Sequence, residues 1–393
     1  MNFVADPSNL KTDASLTLAN AKLVLPNEVV EGSLSIAGQH IAALDQGASV
    51  GAAAIDCEGD YLVPGVVDIH TDHIEQHFTP RPGVRWPAAL AVVMAHDWQM
   101  LGSGITTVLD SLSIGDYDSG GARAAMLDAA IGAVSDARSK GLLKADHYLH
   151  FRCELSDPGL LPLVERYIDD PNLRLLSMMD HTPGQRQWHN LTLYREFRRK
   201  KNGRVWSEDE FAAYMDERLA HQAAHVPPSR EAVGNAGRAR NLVIASHDDT
   251  TIADVEQAHA DGILISEFPT TMEAARRARE LGMKNVMGAP NVVLGKSHSG
   301  NVSAGELADA GLLDGLTSDY VPASLLHAAF ILAGKGLPLP QTMAMVTSTP
   351  ADLIGFSDRG RLAAGLRADV LRVRIIDGVP VIRGIWVAGR QYL

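Results

Sequence analysis

The chain has 393 residues, of which 46% are hydrophobic and 5% aromatic, with 35 Lys and Arg against 47 Asp and Glu for a formal net charge of −12. That length suits two to three domains or one large barrel with attachments, and the composition excludes fibrous and disordered classes. The negative charge argues against nucleic acid and anionic membranes as partners, so an anionic substrate would have to meet a local basic patch. Two cysteines, Cys57 and Cys153, with no CxxC pair, exclude a disulfide scaffold and a zinc ribbon. With no basic and then apolar leader in MNFVADPSNLKTDASLTLAN, and no apolar run long enough for a membrane span, a cytoplasmic location is expected.

From Ser15 the segment SLTLANAKLVLPNEVVEGSLSIAGQHIAAL alternates apolar residues with Gly, Asn and Pro breaks, which predicts short antiparallel strands. The far end repeats this texture in ADVLRVRI, GVPVIRGIWVAG and RQYL. The two ends are therefore expected to pair into one small β-sandwich, made of residues 1–61 and 356–393, rather than to form unrelated hairpins. Between them lie eight strand-like runs: Leu62–Ile69, Ile105–Asp110, His147–Glu154, Leu173–Asp180, Leu242–Ser246, Gly262–Ser266, Asn285–Gly288 and Gly315–Ser318. Helical stretches such as GGARAAMLDAAIGAVSDARSKG and TTMEAARRARELG separate several of them, as in parallel strands with crossover helices. The expected fold is α/β, a (β/α)8 TIM barrel over 62–355, with a doubly wound sheet as its competitor. A charged insertion at about 182–240 reads as a helical hairpin, or a lid, over the barrel mouth.

Catalytic groups of such barrels sit where the strands end. The first run, LVPGVVDIHTDH, ends in His70 and Asp72, whose two-residue spacing sends both side chains to one face of an extended strand. Imidazole and carboxylate together suit zinc, manganese or iron. His73, Glu75 and His77 follow so closely that some must support ligands from outside or lie exposed. In HYLHFRCEL, His150, Arg152 and Glu154 share one face, and inward burial of three polar groups requires a compensating metal or anion. Cys153, of opposite parity, reads as a packing residue. Further runs end in Asp180 and His181, in His247, Asp248 and Asp249, and in Asp319. A metal centre is the economical explanation of so many strand ends carrying His or carboxylate.

The order VPGVVDIHTD, a carboxylate on the third strand, His on the following ones and TSD on the eighth resembles the amidohydrolase superfamily, metal-dependent hydrolases with a β-sandwich built from both termini. HTDH, FTPRPGVRWP, SGITTVLDSLSIGD, HFRCEL, MDHTPGQRQ, ASHDD, EFPTT, MGAPNVVLGKSHSGNVSA and SDYVPASLL are similar to one branch of it. Members of that branch are diphosphatases acting on a ribosyl triphosphate in the carbon-phosphorus lyase pathway. The resemblance implies one or two divalent ions, zinc with manganese or iron as alternatives, on His70, Asp72, Glu154, His181 and His247. It also implies Asp319 as proton acceptor. The superfamily's commoner pattern has HxH on strand one and a carboxylated lysine on strand four. Here Asp72 replaces the second His and LRLLSMMD has no lysine, so Glu154 is expected to stand between the ions.

GAPNVVLGKSHSGNVSAGEL contains GKS, but Gly288 lies seven residues before Gly295 where a Walker loop requires five, and Pro290 occupies the needed position. The same stretch leads into a predicted helix capped by Asn301 or Ser303, and Lys296, Ser297 and His298 are candidate phosphate donors there. Arg81 and Arg85 in TPRPGVRWP, Arg152 beside Glu154, and Arg186 in GQRQ offer guanidinium forks for phosphate or phosphonate oxygens. The resemblance then implies hydrolysis of a small ribose 1-methylphosphonate 5-triphosphate to the 5-phosphate and pyrophosphate. Cyclic amide hydrolysis or deamination on the same fold, and a metal-free scaffold, are the alternatives. A homo-oligomer is left open.

Overall fold

A computed structural model describes residues 16–47, 49–81, 83–115, 122–297 and 300–393. The first sheet joins the two ends of the chain. Strands β1 (Leu16–Val24), β2 (Val29–Ala37), β3 (His40–Gln46), β4 (Ile55–Asp56) and β5 (Tyr61–Pro64) are completed by β14 (Val370–Ile376), β15 (Val379–Val387) and β16 (Arg390–Gln391). The union occurs at β5 and β14, which run antiparallel with Leu371 opposite Val63. Alternation explains the burial: Leu18, Leu34, Ile41, Leu62 and Trp386 form one apolar cluster beneath this sheet.

The second sheet is the barrel. Its strands β6 (Val66–Thr71), β7 (Ile105–Ile114), β8 (Asp146–Glu154), β9 (Leu173–Met179), β10 (Val243–His247), β11 (Ile265–Glu267), β12 (Lys284–Gly288) and β13 (Gly315–Thr317) lie in chain order, every neighbouring pair parallel. Thr71 and Asp319 bridge the last strand to the first, with Asp319 N donating to His70 O at 3.0 Å and Asp72 N to Asp319 O at 3.0 Å. The expected (β/α)8 architecture, with a separate sheet from both termini, is therefore present.

One expected run divides. Leu62–Ile69 spans β5 of the terminal sheet and β6 of the barrel, because both halves are apolar and nothing in the local pattern separates them. The joint is Gly65, where an added Cβ would come within 2.2 Å of Thr106 Oγ1, so the chain passes between the sheets only without a side chain.

Short helix α1 (His73–Phe78) follows β6, and α2 (Ala89–Gly102) and α3 (Ala122–Ser139) flank β7. After α4 (Leu160–Tyr167), the insertion folds as α5 (Leu191–Asn202) and α6 (Glu208–Ala239) around a cluster of Trp188, Tyr194, Trp206 and Phe211. Ser303, one of the two expected caps, starts Ala304–Asp309 through a capping box with Glu306. No described helix is long and apolar enough to cross a membrane.

Outside the barrel lumen, α2 meets β7 and β8 through buried charge. Asp110 accepts from His96 Nε2 at 2.7 Å and from His147 Nδ1 at 2.8 Å, and Asp97 stands 3.4 Å from His147 Nε2. Burial by itself would lower the His147 imidazole, but Asp110 and Asp97 raise it to about 9. That lies above its ordinary 6.5, so its contribution to stability is complete below about 6.5 and is lost as pH rises through about 9. The thermal midpoint of the wild type is expected to fall more steeply between about pH 7.5 and 9.5 than that of His147→Gln. Parallel slopes in the two proteins would contradict the assignment.

Candidate active site

All eight barrel strands point their carboxyl ends the same way, and a cavity of about 250 Å³ opens there. His70, Asp72, Arg152, His181, His247, Asp248, Phe268, Ser297 and Asp319 line it, with Gln187, Trp188 and Phe197 supplied by the insertion. The chain turns sharply at several of these points. Asp248, Phe268 and Asp319, each just beyond a strand, have φ of 57°, 55° and 55°, a left-handed conformation uncommon outside glycine. Three such residues around one opening are a constraint of the kind that clusters at functional sites. Phe268 is held there by His70 and His247, whose rings each lie 5.1 Å from its own.

Two buried carboxylates organise the imidazoles. Glu267, fully buried at the end of β11, has one oxygen 2.9 Å from His70 Nδ1 and the other 3.2 Å from His247 Nδ1. Ser177 Oγ on β9 donates to it at 2.5 Å, and His150 Nε2 on β8 lies 2.6 Å from the same hydroxyl. Glu154 has Oε2 2.6 Å from His181 Nδ1, while its Oε1 accepts from His181 N at 3.1 Å and from Ser156 Oγ at 2.8 Å. With Nδ1 so engaged, Nε2 of His181 and of His247 stand 3.6 and 3.7 Å from Asp248 Oδ2.

Charge follows this arrangement. Burial opposes protonation of His70 and His181, but Glu267 and Glu154 outweigh it and raise both rings above the ordinary histidine range. Conversely, burial would raise the two carboxyls, yet the imidazoles hold Glu154 below the usual carboxylate range and Glu267 well below it. His150 has no such partner in contact, and burial pushes it down to about 3, leaving a neutral ring. Cys153 is buried and pushed up to about 12 by that burial, as suits a packing residue.

The donor set suits a divalent cation on two observations. Ligand atoms of His181, His247 and Asp248 lie within 4.8 Å of one another, as do those of His70, His247 and Glu267. Asp72 Oδ1 is buried in the cavity wall without a hydrogen-bond partner, an unsatisfied acceptor that a cation would satisfy. Asp72 Oδ2 faces Arg152 Nη1 at 3.5 Å.

Of the residues singled out from sequence, His70, Asp72, Arg152, His181, His247, Ser297 and Asp319 meet in this cavity. Glu154 reaches it through His181, with both oxygens taken up by His181 and Ser156. Arg81, Arg85 and Lys296 are exposed and do not line the cavity. Arg186 is turned from it, donating to His247 O at 2.7 Å and to Asp249 Oδ1 at 3.0 Å. His298 lies outside the described residues.

Glu267 was not among the candidates, and Asp248 was noted at its strand end without being given a ligand role. The run GILIS stops one residue short of Glu267, and extending it to the strand end, as for His247, would have reached the carboxylate. Replacing Glu267 with Gln removes the charge that orients two rings. Divalent-ion affinity is expected to drop about 10- to 100-fold, read by competition with a chromophoric chelator. Unchanged affinity would contradict that role.

No protein-family model matches the chain. It is 44% identical over 379 residues to alpha-D-ribose 1-methylphosphonate 5-triphosphate diphosphatase of Escherichia coli (strain K12), a match covering 96% of this chain and 100% of that protein. Among solved structures, an amidohydrolase superposes with a TM-score of 0.62 at 16% identity, covering 97% of this chain and 99% of that one. A 5-methylcytosine deaminase from Klebsiella pneumoniae gives 0.64 at 13% identity, covering 96% and 98%. These last two likenesses establish the fold. The full-length sequence match goes further, and the chain belongs to the alpha-D-ribose 1-methylphosphonate 5-triphosphate diphosphatase family.

Proposed function

We propose that the cavity hydrolyses the 5-triphosphate of a ribose 1-methylphosphonate, with water entering and the 5-phosphate and pyrophosphate leaving. The full-length match to the Escherichia coli diphosphatase carries this reading. His70, Asp72, His181, His247 and Asp248 would hold one or two divalent ions, zinc first and manganese or iron as alternatives, since borderline cations take mixed imidazole and carboxylate sets. Glu154 and Glu267 then orient the rings through Nδ1, a different role for Glu154 from the position between two ions expected from sequence. A divalent ion in such a set supplies Lewis acidity toward phosphoryl oxygens and acidifies water.

The chain's own groups do the rest. Asp319, placed by its bridge to Thr71 at the cavity wall, accepts the proton of the attacking water. Arg152, the one Lys or Arg lining the cavity among the described residues, binds phosphoryl oxygens, and Asp72 keeps its guanidinium directed. Ser297, at the cavity wall, would meet phosphoryl oxygens, while the exposed Arg81, Arg85 and Lys296, outside the cavity, would attract the polyanion toward it. Arg186 fixes the end of β10 instead. The insertion, through Trp188 and Phe197, walls the substrate off from water.

Two substitutions test this division of labour. Asp319→Asn is expected to lower turnover about 10²- to 10⁴-fold while leaving metal content near that of the wild type. Arg152→Ala is expected to cost about ten- to a hundredfold in kcat/KM toward the ribosyl triphosphate, and less toward the diphosphate. Normal turnover by both variants, or faster wild-type cleavage of a neutral cyclic amide than of any triphosphate, would refute the proposal.

A further inference from the structure

His150 sits on β8 wholly buried, and no step described above uses it. Its ring hydrogen-bonds to no carboxylate among the described residues, so burial keeps it neutral, with a proton on one nitrogen and a lone pair on the other. Nε2 lies 2.6 Å from Ser177 Oγ, while Nδ1 lies 2.9 Å from Ser111 Oγ and 3.0 Å from Ile69 O.

Which nitrogen carries the proton follows from Glu267. A carboxylate only accepts, and Ser177 Oγ stands 2.5 Å from Glu267 Oε2, so the single hydroxyl proton of Ser177 lies on that line. The hydroxyl oxygen then accepts from His150, which places the ring proton on Nε2. In the opposite tautomer Nδ1–H would donate to Ile69 O, but Nε2 would draw the serine proton away and leave two oxygens facing each other at 2.5 Å with no hydrogen between them. With Nε2 protonated, the Nδ1 lone pair accepts from Ser111 Oγ, whose other acceptor, Leu109 O, is farther away at 3.3 Å. Ser111 Oγ in turn accepts from Thr71 N at 3.1 Å. The donors therefore all point one way, from Thr71 on β6 through Ser111 on β7, His150 on β8 and Ser177 on β9 to Glu267 on β11. Each bond in such a chain polarises the next and strengthens it.

We propose that His150 is a positioning residue for the cation site: its Nε2–H holds the Ser177 hydroxyl on Glu267, and Glu267 so held sets the His70 and His247 rings with Nε2 toward the ion. The inference rests on the cation site proposed above. Without the His150 donor, the Ser177 oxygen loses its partner and Glu267 loses its fixed third donor, leaving the two imidazoles alone to define its orientation. His150 also packs edge-on against His70, with ring centroids 4.9 Å apart, so the hydrogen-bonded role has to be separated from a steric one.

Gln and Leu at this position make that separation. The amide nitrogen of Gln stands about where Nε2 does, whereas Leu fills space without a donor. Cobalt(II) affinity of the full-length proteins is read by competition with a chromophoric chelator, together with the visible spectrum of the loaded protein. His150→Leu is expected to bind about tenfold more weakly with altered visible bands, and His150→Gln to recover most of that loss. The double variant His150→Leu, Ser177→Ala is expected to bind no more weakly than Ser177→Ala alone, since both act through one chain. Equal affinities in folded His150→Leu and His150→Gln, or additive losses in the double variant, overturn the proposal while leaving the cation site standing. A wild type that binds no cobalt overturns the cation site itself, and this inference with it. Should His150→Leu not fold, His150→Asn, whose shorter amide falls short of Ser177, takes its place in the same comparison.

Discussion

A single buried carboxylate fixes the centre of this molecule. Glu267 has no exposed surface, and an uncompensated charge at that depth would be strongly destabilising. Its compensation comes from His70 on β6, Ser177 on β9 and His247 on β10. Four barrel strands are thereby held in register at their functional ends by one anion. The same contacts fix the direction of two imidazoles, so the demand for neutralisation and the demand for ligand orientation are met by the same atoms. Glu154 repeats this on a smaller scale with His181. In both cases the buried carboxylate is met by imidazole nitrogens at hydrogen-bond distance, so neither anion is left isolated at the polar barrel end.

The rest of the architecture places groups against that core. Barrel closure at Thr71 and Asp319 sets the last strand beside the first, so Asp319 stands next to His70 and Asp72 although 247 residues separate it from Asp72. Left-handed residues after three strands turn their side chains toward the opening. The insertion, packed around its own aromatic cluster, closes one side. Below the mouth, the buried Asp110 network joins α2 to β7 and β8, and through His96 this scaffold reaches α1.

Much of this was legible in the sequence because it follows from period and position. Alternation in both termini marked the terminal strands, and eight apolar runs separated by helical stretches marked the barrel. Polar residues at the ends of those runs brought His70, Asp72, His181, His247 and Asp319 to one cavity. What escaped depended on three-dimensional neighbours. Gly65 divides one apolar run between two sheets because of Thr106, which is distant in sequence. Arg186, read from its place beside His181, instead meets His247 and Asp249, partners more than 60 residues away. Glu154, expected to stand between two ions, meets His181 Nδ1, a matter of rotamer that periodicity does not record. Glu267 follows a short run whose end periodicity alone does not define.

The central claim is that a phosphoanhydride is cleaved here with pyrophosphate as the leaving group. Phosphorus NMR of a ribosyl 5-triphosphate incubated with metal-replete enzyme in ¹⁸O-labelled water tests it most directly. The reading predicts equal amounts of 5-monophosphate and pyrophosphate, with a single labelled oxygen introduced per turnover and no prior release of orthophosphate. Orthophosphate as first product, or an intact triphosphate alongside turnover of a cyclic amide or an aminopyrimidine, would contradict it.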